Sequence, residues 1–297
     1  MKNLLRQVAV FFGAVILGYL VAGIGSLSDL LIFANLKFLP RIPWLLPVTA
    51  IWLWVYWRYA NGSWWPQSTS EERRLLANAG PVPRQVWIWS MIAGGLSFVS
   101  VLAVGFITPR LAEIPRDAFK LPIDFSAYPS WMVISIILAI SVIAGVAEEM
   151  GYRGYMLTGI QRRFGWIAGT LVSGFIFFMD HHLSHAYATY AFLPFFMIVS
   201  ALHALLVYFT GSIRPSIVLH AFFDFCVIPV QYGLLGSIPV SPVLKTGIDS
   251  SFIVEIIVIL LFGIASVPAF RKLRAVAEQK KTAKTPVKDS WRLAVRK

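Results

Sequence analysis

The sequence predicts an all-α protein, a polytopic transmembrane helical bundle of about eight spans. Three observations predict it. Of 297 residues, 58% are hydrophobic and 13% are charged, with a mean hydropathy of +0.71, whereas a soluble domain carries about 25% charged residues. The apolar residues gather in runs that approach or reach the ~17–25 residues a spanning helix needs. Lys and Arg divide unevenly between alternate connecting segments, as they do in membrane proteins of fixed orientation.

The predicted spans run near Val8–Gly25, Ile42–Trp57, Val86–Thr108, Trp131–Leu157, Trp166–Met179, Phe192–Phe209, Ser216–Tyr232 and Ser251–Phe270. The first follows Lys2 and Arg6 and reads as an uncleaved helix, since later spans match its composition. Tryptophans at 52, 54, 57, 87 and 89 suit interfacial belts. Two connecting segments are long enough for structure of their own. One is Arg58–Gln85; the other is Pro109–Ser130, with Pro109, Pro115, Pro122 and Pro129.

Eight spans with the C-terminal tail inside put the N-terminus inside too. Nineteen Lys/Arg then face the cytoplasm and six the outside, excluding Arg153. An integral, multi-pass protein with both termini cytoplasmic is expected, in the cell membrane if the source is prokaryotic. The formal charge of +12 owes much to Arg271–Lys297, with ten Lys/Arg. After a membrane span, such a tail is expected to meet anionic lipids of the bilayer and no nucleic acid. The lone Cys226 forms no intramolecular disulfide and reads as a buried apolar thiol. The chain thus divides into N-terminal helices and loops without a motif (1–130), a core of motif-bearing helices (131–232), a last span (233–270) and the basic tail (271–297).

The chemistry concentrates at one point. The apolar run Trp131–Ala147 leads directly into Glu148, Glu149 and, four residues on, Arg153. An ionised side chain at the centre of a spanning helix costs about 2.5–3.5 kcal/mol on insertion scales, so such residues mark functional sites by default. On a helix Glu149 and Arg153 share a face in the favourable order for an ion pair. Glu148 points about 100° away. One carboxylate is held by the guanidinium, and the other is left available as a general base; alternatively the pair is structural and Glu148 merely lines a cavity. All five histidines follow: His181, His182 and His185 in one cluster, then His203, then His220 with Asp224 four residues later. His203 reads as a core residue, His185 as a loop residue at the interface, and Asp180 as a partner or orienter of a neighbouring histidine. Glu255 reads as solvent-facing.

Glu148-Glu149-x-x-x-Arg153 resembles the first motif of the CAAX-processing and bacteriocin-processing (CPBP, Abi) intramembrane proteases. Phe178-x-x-x-His182 resembles the second; Phe177-x-x-x-His181 also fits, and His182 is preferred. His220-x-x-x-Asp224, after Thr210-Gly211-Ser212, resembles the third, which usually ends in Asn. The resemblance covers Trp131–Asp224. It implies an intramembrane endopeptidase, acting by a glutamate or as a metallo-endopeptidase, on membrane-associated peptides such as prenylated CAAX tails or leader-type peptides. It further implies that Glu148 activates water with help from His182, that His220 and residue 224 stabilise the oxyanion, and that Glu149 and Arg153 hold the site. A Zn2+ ion, if used, has Glu148, His182, His220 and Asp224 as candidate ligands, with His181 as the alternative to His182.

Asp224 departs from the family pattern. An ionised Asp cannot donate a hydrogen bond to an oxyanion. Either it is protonated in its apolar setting, or it orients His220, or activity is reduced; as a carboxylate it also keeps a metal ligand. Two non-protease readings stay open: a catalytically silent scaffold or immunity protein of the same fold, and a proton-linked transporter. Depth along the helices leaves a conflict. Glu148 and His182 both lie about 25 Å from a turn at Gly165, whereas His220 lies only about 8–14 Å past the Gly211–Pro215 turn. Either Gly154–Gly165 lies along the interface, or a helix is broken.

Overall fold

In the computed structural model, residues 2–114, 116–119, 125–231, 234 and 241–284 are described. Among them there is no strand, and each predicted apolar run falls on a helix. The basic tail past Lys284 and the loop residues Pro115, Lys120 and Pro122 lie outside the described residues.

Helix α1 (Lys2–Ser26) passes through a 3-10 turn, Leu27–Asp29, into α2 (Leu30–Phe38). Asn35 then reverses the chain. Its Nδ2 donates to Leu39 O and Ile42 O at 2.8 and 2.9 Å, and its Oδ1 accepts from Leu45 N at 2.9 Å. A buried amide satisfied on both sides fixes the entry to α3 (Leu45–Ala60). The Arg58–Gln85 segment does have structure of its own. It folds as α4 (Ser70–Ala77), which ends at Asn78 in the left-handed region, φ 48°. Arg73 ties it down by donating to the carbonyls of Tyr59, Trp64 and Pro66.

Helix α5 (Arg84–Leu111) runs further than the expected loop boundary, and Pro109 sits in its last turn rather than in a loop. There it leaves the carbonyl of Gly105 without its usual amide partner, and the helix ends two residues later. The motif-bearing core follows: α6 (Ser130–Glu148), a π-helical segment (Glu149–Met156), α7 (Leu157–Ser184), α8 (Leu193–Thr210) and α9 (Arg214–Gln231). A short α10 (Val243–Thr246) leads to α11 (Ser250–Lys284), which packs along α5. Arg110 grips Asp249 with both NH groups, at 2.9 and 2.7 Å, where α11 begins.

Five helical stretches are long and apolar enough to cross a membrane, so the protein is an integral membrane protein. One of them, 130–184, is 55 residues long and is broken at Gly165, whose φ of 83° ends one helix and starts the next. The expected turn is there. The expected eight spans are therefore an approximate count, in which α3 and α9 are the short members.

Small residues bring the core helices close. Gly18 and Gly25 of α1 face Gly151 and Ala147: a Cβ on Gly18 would lie 2.8 Å from Gly151 O, and one on Gly25 2.5 Å from Ala147 Cβ. Contact at backbone distance is how helices associate where no water is available to drive them together. Gly145 does the same for α9, since its Cβ would meet Ile217 O at 2.9 Å and Ala221 Cβ at 3.0 Å. That contact sets Ser216 and His220 against the glutamates.

Candidate active site

The two glutamates sit where α6 passes into the π-helical segment. Leu157 N–H bonds back to Tyr152 O, five residues earlier. The wider turn keeps Glu149 and Arg153 together and buries all eight residues of the segment. Such π segments occur mostly at functional sites.

Glu149 and Arg153 are both 0% exposed, 3.1 Å apart. The guanidinium makes no well-directed hydrogen bond; it holds Glu149 by charge and lies 4.4 Å from the Phe177 ring centroid, a desolvated cation–π contact. Glu149 takes its directed bonds from elsewhere. His220 Nδ1 is 2.8 Å from its Oε1, and Ser216 Oγ donates to its Oε2. Behind Ser216, His203 Nδ1 lies 2.7 Å from the hydroxyl oxygen. These contacts fix the tautomers. A carboxylate only accepts, so His220 Nδ1 carries a proton; the serine has spent its single proton on Glu149, so His203 Nδ1 carries one too.

The other edge of His220 faces a cavity of about 410 Å³. Its Nε2 is 3.6 Å from Glu148 Oε2 and 3.5 Å from Asp224 Oδ2. Glu148 Oε2 is buried and has no hydrogen-bond partner. Glu148, Asp224, His220 and His181 all line the cavity, whose remaining wall is mostly apolar and rich in phenylalanine. His185, expected as an interfacial loop residue, and Asp29 line it too, so one greasy chamber carries three carboxylates and three imidazoles.

The family model for Type II CAAX prenyl endopeptidase, Rce1-like, matches residues 129–226. These residues form an Rce1-like domain. Comparison with curated proteins returns no match, and none is found among solved structures. The Rce1-like domain is α6 through most of α9, and it contains every residue of the site just described. The match covers about a third of the chain and agrees with the family its motifs resemble.

Within the Rce1-like domain, Glu148, Glu149, Arg153, His220 and Asp224 lie together around the His220 ring. The preferred member of the histidine pair does not. His182 Nδ1 is 2.8 Å from Ala188 O, and its ring lies between Phe178 and Tyr190, with centroids at 5.6 and 4.4 Å. His181 lines the cavity instead, and its ring packs on Phe177 and Phe196. The two rings lie about 100° apart on α7, and the rotation of that helix chooses between them. Asp180 orients no histidine; it accepts from Tyr19 and Tyr152 at 3.1 and 2.9 Å. His203 is buried as expected but joins the Glu149 network. Ser216 was not foreseen at all.

Two donor sets face a metal ion differently. Glu149, His203 and His220 offer ligand atoms within 4.8 Å of one another, a spacing that could hold a metal. The edges involved already carry protons, and Arg153 adds a fixed positive charge, so this set fits a cation poorly. The set of Glu148 Oε2, His220 Nε2 and Asp224 Oδ2 has oxygen and imidazole donors, one of them an unpartnered carboxylate oxygen; each carboxylate lies 3.5–3.6 Å from Nε2, but the three do not close to within 4.8 Å of one another as the first set does.

Proposed function

We propose that this protein is an intramembrane endopeptidase in which Glu148 is the general base, and that the catalytic core is 131–232. One observation carries the reading: at the polar end of a cavity walled by phenylalanines, Glu148 holds a buried oxygen with no partner while each oxygen of its neighbour Glu149 accepts a hydrogen bond. A group left unsatisfied at that cost is one awaiting a reactant.

The steps follow from the residues. A water beside Glu148 Oε2 gives it a proton as the water oxygen attacks the peptide carbonyl. The carbonyl electron pair moves onto oxygen, where His220, protonated at both nitrogens between Glu149 and Asp224, donates to the developing charge from its Nε2–H. The C–N bond breaks, and Glu148 returns its proton to the leaving nitrogen. Glu149 fixes the His220 ring through Nδ1–H, and Arg153 balances Glu149. Asp224, 3.5 Å from Nε2, acts on His220 rather than as an oxyanion donor. A divalent metal, if held by Glu148, Asp224 and a His220 Nε2 free of its proton, would supply Lewis acidity and a more acidic water in place of that N–H.

The cavity wall suits an apolar or lipidated peptide segment, of which prenylated CAAX tails and leader-type peptides are the two classes to try. The Lys/Arg distribution orients both termini toward the cytoplasm, where the basic tail meets anionic lipid.

The test is cleavage of membrane-tethered peptides by purified wild type and Glu148→Ala, each with and without chelator. Cleavage lost in Glu148→Ala is the expected result. Chelator sensitivity places a metal at the second donor set, and insensitivity makes Glu148 sufficient. Equal cleavage by both proteins removes the assignment. Solute or proton flux in liposomes without cleavage replaces it with a carrier.

A further inference from the structure

The catalytic chamber holds a third carboxylate, outside the Rce1-like domain. Asp29 and Ser26 line the same cavity as Glu148. Asp29 occupies the N-cap position of α2, where an aspartate ordinarily accepts a bond from the first-turn amides, yet it makes no capping bond. Its Oδ1 is buried without a hydrogen-bond partner, and no ion pair reaches the carboxyl among the described residues. The positive end of α2 lowers the cost of a negative charge there but leaves that oxygen unmatched. Capping and pairing, the two ordinary uses of such a residue, are both absent.

Its position relative to the chemistry can be read from the packing. α1 runs antiparallel to α6, with Gly18 against Gly151 and Gly25 against Ala147. Asp29 is one turn beyond Gly25, level with Ala144, which also lines the cavity. Along the α6 axis that is about 6–8 Å from the level of Glu148. An extended peptide advances about 3.3 Å per residue, so a substrate with its scissile bond at Glu148 presents a side chain two residues away to Asp29.

Resting on the endopeptidase reading, we infer that Asp29 is a specificity-determining residue that receives a basic side chain of the substrate about two residues from the scissile bond. The chamber then selects a peptide that is apolar along most of its length and cationic at one point. A lysine or arginine there supplies the donor Asp29 lacks and cancels its charge; an apolar residue leaves its buried Oδ1 unpaired.

The experiment uses one parent peptide, tethered in vesicles, with lysine, arginine or norleucine placed in turn two and three residues to either side of the bond that mass spectrometry shows to be cut. Wild type, Asp29→Asn and Asp29→Lys are compared as full chains, after melting curves show both variants folded. At one position lysine is expected to raise kcat/KM over norleucine by about 30-fold or more, the penalty for losing one partner of a buried charge pair. In Asp29→Asn that ratio falls to about one, and in Asp29→Lys the norleucine peptide overtakes the lysine peptide. A ratio near one in wild type at every position overturns the inference, as does a ratio that survives in Asp29→Asn. If no peptide is cut by any protein, the endopeptidase reading fails on its own. Binding of the same peptides then tests Asp29: tighter lysine binding by wild type than by Asp29→Asn supports it, and equal binding overturns it.

Discussion

The two edges of the His220 ring face opposite kinds of chemistry. On the Nδ1 edge every partner is committed: Glu149 accepts from His220 and Ser216, His203 backs Ser216, and Arg153 supplies the charge. On the Nε2 edge Glu148 and Asp224 stand 3.5–3.6 Å off, facing an open chamber. Adjacent glutamates thus hold opposite assignments. The closed edge gives rigidity, because each oxygen of Glu149 accepts a directed bond and the guanidinium balances its charge. The open edge gives reactivity, because its groups are matched only when a reactant arrives.

Breaking each edge should have a different signature. The largest effect on activity is expected at Glu148→Gln, which removes the base and leaves the shape. Cleavage falls by about 10²–10⁴-fold, the usual share of general acid–base catalysis, while the melting temperature measured in detergent stays within a few degrees. The largest effect on stability is expected at Arg153→Met. It strands Glu149 as an uncompensated buried charge, at a cost of about 3–5 kcal/mol, measured by thermal or denaturant unfolding.

The histidine pair sharpens the open edge. His181→Ala removes a cavity-lining imidazole and should lower kcat/KM by about tenfold or more. His182→Ala is expected to spare kcat/KM and lower only stability, through its lost bond to Ala188 O. Equal kinetic losses would return His182 to the site.

How far the site could be read in advance follows the same division. Glu148, Glu149 and Arg153 are neighbours in sequence, and His220 and Asp224 are one helical turn apart, so local spacing reveals them. Gly165 as a turn is likewise a local signal. What spacing cannot carry is rotation and convergence. Phe177–His181 and Phe178–His182 have identical spacing, and only the packing of α7 separates them. His203 lies on α8 among leucines and alanines with nothing nearby to mark it; Ser216 is one of many serines. Both become part of the site through contacts with Glu149, 54 and 67 residues away in sequence. Asp29 passes for an ordinary cap in the sequence, and the missing capping bond distinguishes it.

Smaller effects test the periphery of each edge. Ser216→Ala leaves one Glu149 oxygen short of a donor and should cost about 1–3 kcal/mol in stability, with a fall in kcat rather than a rise in KM if the ring of His220 loses its fixed tilt. The smallest effect is expected far from the site. Arg110 beside Asp249 holds that carboxyl well below the usual carboxylate range. A depressed folded-state value means the pair contributes fully above about pH 4, the ordinary aspartate value, and the contribution is lost as pH falls below it. Asp249→Asn should therefore flatten part of the acid side of the stability profile and leave neutral cleavage unchanged.

The division between the two glutamates is tested most directly by Glu148→Gln and Glu149→Gln side by side, each read for cleavage of a membrane-tethered peptide and for melting temperature. Glu148→Gln should abolish cleavage and melt like wild type, and Glu149→Gln should lose both cleavage and several degrees of stability. A Glu148→Gln protein that cuts at the wild-type rate, or a Glu149→Gln protein that melts unchanged and is alone inactive, would contradict the assignment.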